Sequence, residues 1–479
     1  MSLEVDKLNE QADVVLGTRE EDAIAPIVAA KPTKSRAGVL INRNFALLWL
    51  GQAISIIGDY VFDTTLVLWI FASLSLNQSW APLAVSGLFL MTNLPNFLVG
   101  PLAGVFVDRW QKRQTMMNMD VIRACLVAVL LIAALLGHIT ISWQLGIIYG
   151  VVLLASVCSQ FFNPARLVLI GDIVPESEQA RATGMLQMTV SLAVIFGPVL
   201  AAMLYNVVGV YLALFVNALS FVGSFLAILA IRVPAEKERR EQAQGMASTS
   251  HENDNHANNQ TKKSFWLEFR EGLQFCLSNR VLLTMIVTLV VSLFGVGSVN
   301  ALTIFFVQQN LHVPASYYGI LATAFGIGTA IGAIVAGMGA QRLGLVRTLW
   351  LSLLAMSAIF FLYSRLNNFS AALVVIFLLG FPIAAFNVAL MPLVLRVVPR
   401  ELVGRVAAVV NPLQSLALML SIFIAGTLES TVLAHFHLVV LGIVLGPIDT
   451  IYTAVSGIVL IAGVYAMISL AKARIAPAA

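Results

Sequence analysis

Charge is what this 479-residue chain has least of: Asp, Glu, Lys and Arg together make up 11% of it, against 59% hydrophobic residues. A soluble domain carries about 25% charged residues. The deficit excludes an ordinary core wrapped in a charged surface, and most of the chain is expected in lipid. Cysteine is scarce too. Cys125, Cys158 and Cys276 form neither an even-numbered framework nor a metal-ligand spacing, and they read as small buried hydrophobes. Also missing are a phosphate-binding loop and a nucleophile–base set. These absences argue against an enzyme, a cofactor, a bound metal or a nucleic-acid partner, and leave an ion gradient to drive any coupled work. The first 43 residues are polar and mixed in charge, with no apolar run before Phe45, so no secretory signal is expected.

Long hydrophobic runs are what the chain has in their place. Apolar stretches lie near 45–74, 81–106, 114–137, 143–169, 182–207 and 209–231, and again near 281–307, 316–340, 347–364, 370–395, 402–430 and 448–471. Each is long enough for a transmembrane helix, which takes about 20 residues. The basic residues test this six-plus-six reading independently. Arg109, Lys112, Arg113, Arg166, Arg181, Arg342, Arg347, Arg396, Arg400 and Arg405 all fall at even-numbered connections, whereas the outward connections hold only Arg365. That bias predicts an all-α membrane protein with both termini cytoplasmic.

The expected organisation is a cytoplasmic tail (1–43), a six-helix bundle (44–231), a linker (232–280), a second bundle (281–472) and a short tail (473–479). The linker is too polar to bury a core and is expected to be disordered, with His251 and His256 as solvated residues. Its end, Phe265 to Cys276, has the pattern of an amphipathic helix on the inner leaflet. The connection around His435 to Pro447 reads as a loop or an interfacial segment.

Two aspartates interrupt the first run. A carboxylate at a helix centre costs roughly 2.5–3.5 kcal/mol on insertion scales, and Asp59 and Asp63 share a face at i, i+4. Gln52 and Ser55 fall within about 80° of them, making a polar stripe that suits a cation, a proton or a polar ligand. Asp120 and Arg123 can pair at i, i+3 in span three. Tyr149, Ser156, Gln160 and Asn163 in span four, Gln187 in span five, Asn300 and Thr303 in span seven, Asn387 in span ten and Asn411 in span eleven are further candidates. Each could equally be a helix–helix hydrogen bond. Phe162 and Phe386 could stack on a ligand or simply pack. Arg166 and Asp172, near the cytoplasmic end of span four, could gate or snorkel. Glu429 is expected in water at the outer end of span eleven.

The halves repeat. Phe162-Asn-Pro-Ala-Arg-Leu-Val-Leu-Ile-Gly-Asp-Ile-Val-Pro175 recurs as Phe386-Asn-Val-Ala-Leu-Met-Pro-Leu-Val-Leu-Arg-Val-Val-Pro399. Gly104-Val-Phe-Val-Asp-Arg109 recurs as Gly337-Met-Gly-Ala-Gln-Arg342. Parallel repeats of six spans imply two similar bundles about an axis along the membrane normal.

Gly104-Val-Phe-Val-Asp108-Arg109-Trp-Gln-Lys112-Arg113 resembles the G-x-x-x-D-R-x-x-R-R signature of the major facilitator superfamily. Its glycine is expected to permit close helix approach, and its charges to latch onto neighbouring helix ends. Gln341 replaces the acid in the second copy. Phe196-Gly197-Pro198-Val-Leu-Ala-Ala202 resembles a degenerate form of the superfamily's antiporter motif, although a proline kink with small-residue packing fits it as well. Ser55-x-x-Gly58-Asp59, Asp120-x-x-Arg123-Ala, and Asn163-Pro-Ala-Arg166 with Asp172-x-Val-Pro175 resemble the branch containing macrolide-efflux proteins and the enterobactin exporter.

The resemblance, over about residues 42–472, implies spans one, four, seven and ten around a central cavity faced by the Asp59–Asp63 stripe. Span three is peripheral in that fold, which ties Asp120 and Arg123 to the latch. It also implies a monomer in the plasma membrane that exports amphipathic small molecules, such as macrolide-like compounds or siderophores, in exchange for protons (or Na⁺). An importer or uniporter of a small metabolite, or a non-transporting receptor, are the alternative expectations.

Overall fold

The computed structural model describes residues 41–76, 78–136, 139–232, 265–399, 402–433, 438–440 and 443–471. Among them are twelve helices long and apolar enough to cross a membrane. Spans one to six are Arg43–Leu74, Ala81–Leu98, Lys112–Leu136, Ile141–Ile173, Glu176–Val208 and Val210–Leu229. Spans seven to twelve are Arg280–Gln309, Ala315–Leu343, Leu345–Tyr363, Phe369–Val397, Val403–Val432 and Pro447–Leu470. The expected tails and most of the linker, including His251 and His256, lie outside the described residues.

Asparagine side chains cap spans one, seven and ten. Asn42 Oδ1 accepts from the Phe45 amide at 2.7 Å, and Asn279 Oδ1 does the same for Val281 and Leu282 at 3.0 and 3.1 Å. Each satisfies amides that a first helical turn leaves unpaired. Asn42 and Asn279 open spans one and seven, so the caps themselves mark the repeat. Gly209 and Gly344, at φ +80° and +82°, turn the chain between consecutive spans in a left-handed conformation that side chains disfavour. Span two breaks at Val99, between Pro95 and Pro101, and continues as a short helix, Gly100–Arg109.

The two bundles meet through spans two and eleven and through spans five and eight. Close approach there needs glycine. A Cβ on Gly426 would strike Ser86, and one on Gly319 would strike the Pro198 carbonyl. Phe71 and Phe305, near the ends of spans one and seven remote from their asparagine caps, meet edge-to-face at 5.0 Å. Thr323 donates to the Ile195 carbonyl at 2.6 Å, and Asn96 to Ser415 at 2.9 Å. These contacts join the bundles, the Phe71–Phe305 pair at their far ends.

Several features depart from the expectations. Leu438–Val440 and Ile443–Leu445 form β1 and β2, a two-stranded antiparallel ribbon before span twelve, where a loop or interfacial segment was expected. The helix Phe265–Ser278 packs on span eleven as well as leading into span seven. Its Gly272 lies against the Arg405 backbone and its Glu271 pairs with Arg405 at 2.5 Å. Cys158 and Cys276 are buried as expected, but Cys125 is exposed on span three, an outward-facing site where a small hydrophobe is equally at home.

Candidate functional site

Each bundle holds a pocket in an equivalent position. The first lies among spans one, two, three, four and six, and Asp59, Asp63, Thr92, Arg123, Ser159 and Asn217 are in its wall. The second lies among spans seven to ten. Aligned by the Asn42–Asn279 caps and the two sequence repeats, Asp59 corresponds to Val296, Asp63 to Asn300, Thr92 to Phe325, Arg123 to Met356, Val127 to Phe360 and Ser159 to Ile383. Every one of these twelve residues lines its own pocket. One architecture thus carries two chemistries, charged and hydroxylic in the first half, apolar and aromatic in the second. The pockets approach each other at Asp63, whose charge reaches Tyr318 in the wall of the second.

Asp59 and Asp63 face the first pocket, half-buried and exposed respectively. They lie within electrostatic reach of each other, and Asp59 also of Arg123 and Asp120. Tyr60, between them, faces Gly197 of span five, where a Cβ would sit 2.5 Å from the tyrosine Cβ. Gly197 and Pro198 therefore serve two close contacts, with span one and, through the Pro198 carbonyl, with Gly319 of the other bundle. Gly58 gives span six the same access, as a Cβ there would come within 2.6 Å of Ser220 Oγ.

The stripe divides. Gln52 and Ser55 are buried, at 2% and 3% exposure, and neither lines the pocket. The Gln52 amide donates to Ser224 Oγ at 3.1 Å, and its carbonyl oxygen accepts from Arg166 at 3.1 Å. Ser224 in turn lies beside Asp120, and Asp120 Oδ1 accepts from Arg123 at 2.6 Å. One buried chain of polar groups thus runs from Arg166 through Gln52, Ser224 and Asp120 to Arg123 beside Asp59.

The i, i+3 pair of Asp120 and Arg123 forms as its spacing predicts, but it stands beside the aspartates rather than at the latch. Arg123 is held between Phe162 and Phe221, 4.4 and 4.6 Å from its guanidinium carbon. Phe162 consequently packs on protein and is closed to a ligand, and Phe386 is equally buried. An Arg inside an apolar span is itself a costly signal. Thr92, Ser159 and Asn217 carry no such signal, because an isolated hydroxyl or amide looks the same on any helix face.

Other candidates disperse. Tyr149 donates to the Ala84 carbonyl at 2.7 Å and joins spans four and two. Gln160 and Ser156 line the first pocket, Asn300 and Thr303 the second. Asn163, Gln187, Asn387 and Asn411 are exposed and line neither. At the latch, Arg113 donates to the Ile228 and Leu229 carbonyls at 3.1 and 2.7 Å, tying span three to the end of span six. Arg109 is exposed, and the Asp108 side chain lies outside the described residues. Nothing would lie within 4 Å of a Cβ on Gly104. The close approach expected at this glycine is absent, although the short helix packs on span four.

The sequence matches the family described as Major Facilitator Superfamily over residues 48–422 and 285–477. It is 25% identical over 434 residues to the uncharacterized MFS-type transporter YkuC of Bacillus subtilis (strain 168), covering 90% of this chain and 93% of that one. It is 23% identical over 295 residues to Macrolide efflux protein A of Streptococcus pyogenes, covering 62% and 66%. The fold matches a bacterial homologue of the iron transporter ferroportin in its inward-facing state, with TM-score 0.66, 15% identity, and 90% and 99% of the two chains covered.

Proposed function

The chain belongs to the major facilitator superfamily, and on that premise we propose that it is a proton-coupled exporter of amphipathic small molecules working by alternating access. The observation that carries this reading is the pairing of equivalent pockets with opposite chemistry. A ligand with a cationic or hydrogen-bonding end and a bulky apolar body would have complementary walls in both bundles. An anion would meet two carboxylates, which disfavours it. The likeness to Macrolide efflux protein A supports the same direction and ligand class.

Asp59 and Asp63 are assigned the coupling proton. Two carboxylates one turn apart in a protein interior repel when both are charged, so a proton held between them is released at least cost when a cationic ligand or Arg123 compensates the remaining charge. Substrate and proton then compete for one wall, which is what exchange requires. Arg123 is assigned the counter-charge, and the chain from Arg166 to Asp120 fixes its position. The protein is assigned to the plasma membrane as a monomer.

Uptake of a macrolide panel into inverted vesicles under an imposed pH gradient tests the reading. Asp59→Asn and Asp63→Asn should each abolish gradient-driven accumulation, and a protonophore should do the same to the parent chain. Full gradient-driven transport by both variants removes the proposal.

A further inference from the structure

At the far end of the second bundle, a second acidic site stands apart from both pockets. Glu429 was expected in water, but it is 5% exposed and its Oε2 has no hydrogen-bond partner among the described residues. The cause is local. The last turn of span eleven, Leu428–Val432, is π-helical, and the wider turn packs on spans two and twelve, leaving Glu429 directed inward. A buried ionised carboxylate with an unsatisfied oxygen is costly. The cost disappears when that oxygen carries a proton.

The surroundings are built to hold such a group. Gln309, at the end of span seven, lies beside the Glu429 carboxyl. Asp449, on the first turn of span twelve, lies within electrostatic reach of it. Asp449 is itself anchored by the Asn310 amide at 2.5 Å and the Gly446 N–H at 3.0 Å, and Arg365 acts on it from the end of span nine. Asp449 therefore has its compensation and Glu429 has none. Among the described residues, Tyr452, fully buried, completes the titratable groups facing Glu429. Its hydroxyl lies 3.5 Å from Thr303 Oγ1, and Thr303 lines the apolar pocket. Span two contributes no titratable side chain beside this turn.

We propose that Glu429 is a proton-binding site at the far-end closure, neutral while spans seven, eleven and twelve are packed together and ionised only when water reaches the turn. Closure of that end and occupancy of the site by a proton are then linked. Tyr452 and Thr303 connect the site to the wall of the second pocket. The inference goes beyond the coupling role assigned to Asp59 and Asp63 and holds whether or not they carry the transported proton.

Infrared difference titration of the full chain in lipid nanodiscs tests it directly. The parent protein should show a protonated-carboxyl stretch that disappears as pH rises. Glu429→Gln should lose that component, and the Asp59→Asn/Asp63→Asn double variant should keep it. Hydrogen exchange at residues 427–433 should accelerate across the same pH interval in the parent chain and in Glu429→Asp, and stay slow in Glu429→Gln. An unchanged carboxyl signal in a folded Glu429→Gln protein overturns the proposal. So does displacement of the signal by Na⁺ at constant pH, which would make this a metal-cation site. Failure of gradient-driven transport with these spectra intact would count against the exporter reading alone.

Discussion

Removing Arg123 would leave Asp120 as an uncompensated charge at zero exposure. Breaking one side of a buried pair costs about 3–5 kcal/mol, whereas replacing both partners by apolar groups of similar volume is often neutral. The second bundle supplies the apolar version, since Asp120 and Arg123 correspond there to Leu353 and Met356. Arg123→Met alone should therefore destabilise the protein by about 3–5 kcal/mol. Asp120→Leu with Arg123→Met should recover most of the loss. Thermal unfolding in nanodiscs reads both. The double variant should still fail to transport, because the wall opposite Asp59 would have lost its cation. Recovered stability together with recovered transport would mean that the pair is structural only.

Among the helices, glycine records which crossings are tight. A Cβ on Gly328 would overlap the Phe377 backbone where spans eight and ten cross inside one bundle. Gly328→Ala should cost about 1–3 kcal/mol, the usual cost of overpacking. Gly319→Ala acts between the bundles, where the Pro198 carbonyl must move away. It should loosen the far-end closure and raise exchange at residues 427–433 while leaving each bundle's own core intact. Gly104→Ala is the control, because open space surrounds it, and its effect on stability should stay within about 0.5 kcal/mol. A transport defect in Gly104→Ala without loss of stability would place the glycine's tight contact in another state of the transport cycle.

At the scale of the whole molecule, the basic residues of the even-numbered connections predict that the linker faces the cytoplasm. A single cysteine at Ser250, in an otherwise cysteine-free chain, should react with an impermeant maleimide only after the membrane is permeabilised, and one at Ser316 should react in intact cells. The reverse pattern would invert the topology, and with it the side from which Glu429 meets water.

Much of the architecture follows from the sequence alone. Hydropathy sets twelve spans because a polar backbone in lipid must satisfy itself within a helix. The matched Asn, Pro, Gly and Arg positions set two equivalent halves. Asp59 and Asp63 stand out because charge in an apolar run is costly wherever it points, and Asp120 with Arg123 because i, i+3 neighbours meet on any helix. Packing decided the remainder. Lipid and protein interior are equally apolar, so hydropathy cannot say which face of a span meets which neighbour. Only the assembled bundle separates Gln52, buried in a polar chain, from Asp59 on the same stripe, or turns Arg123 toward the pocket. The same limit hid Glu429, which a single π-helical turn draws into the closure, and left Asn163, Gln187, Asn387 and Asn411 outside both pockets. The sequence determined how many times the chain crosses and where it repeats. The tertiary structure decided which of its few polar groups share a space, because that depends on side-chain contacts between helices far apart in the chain.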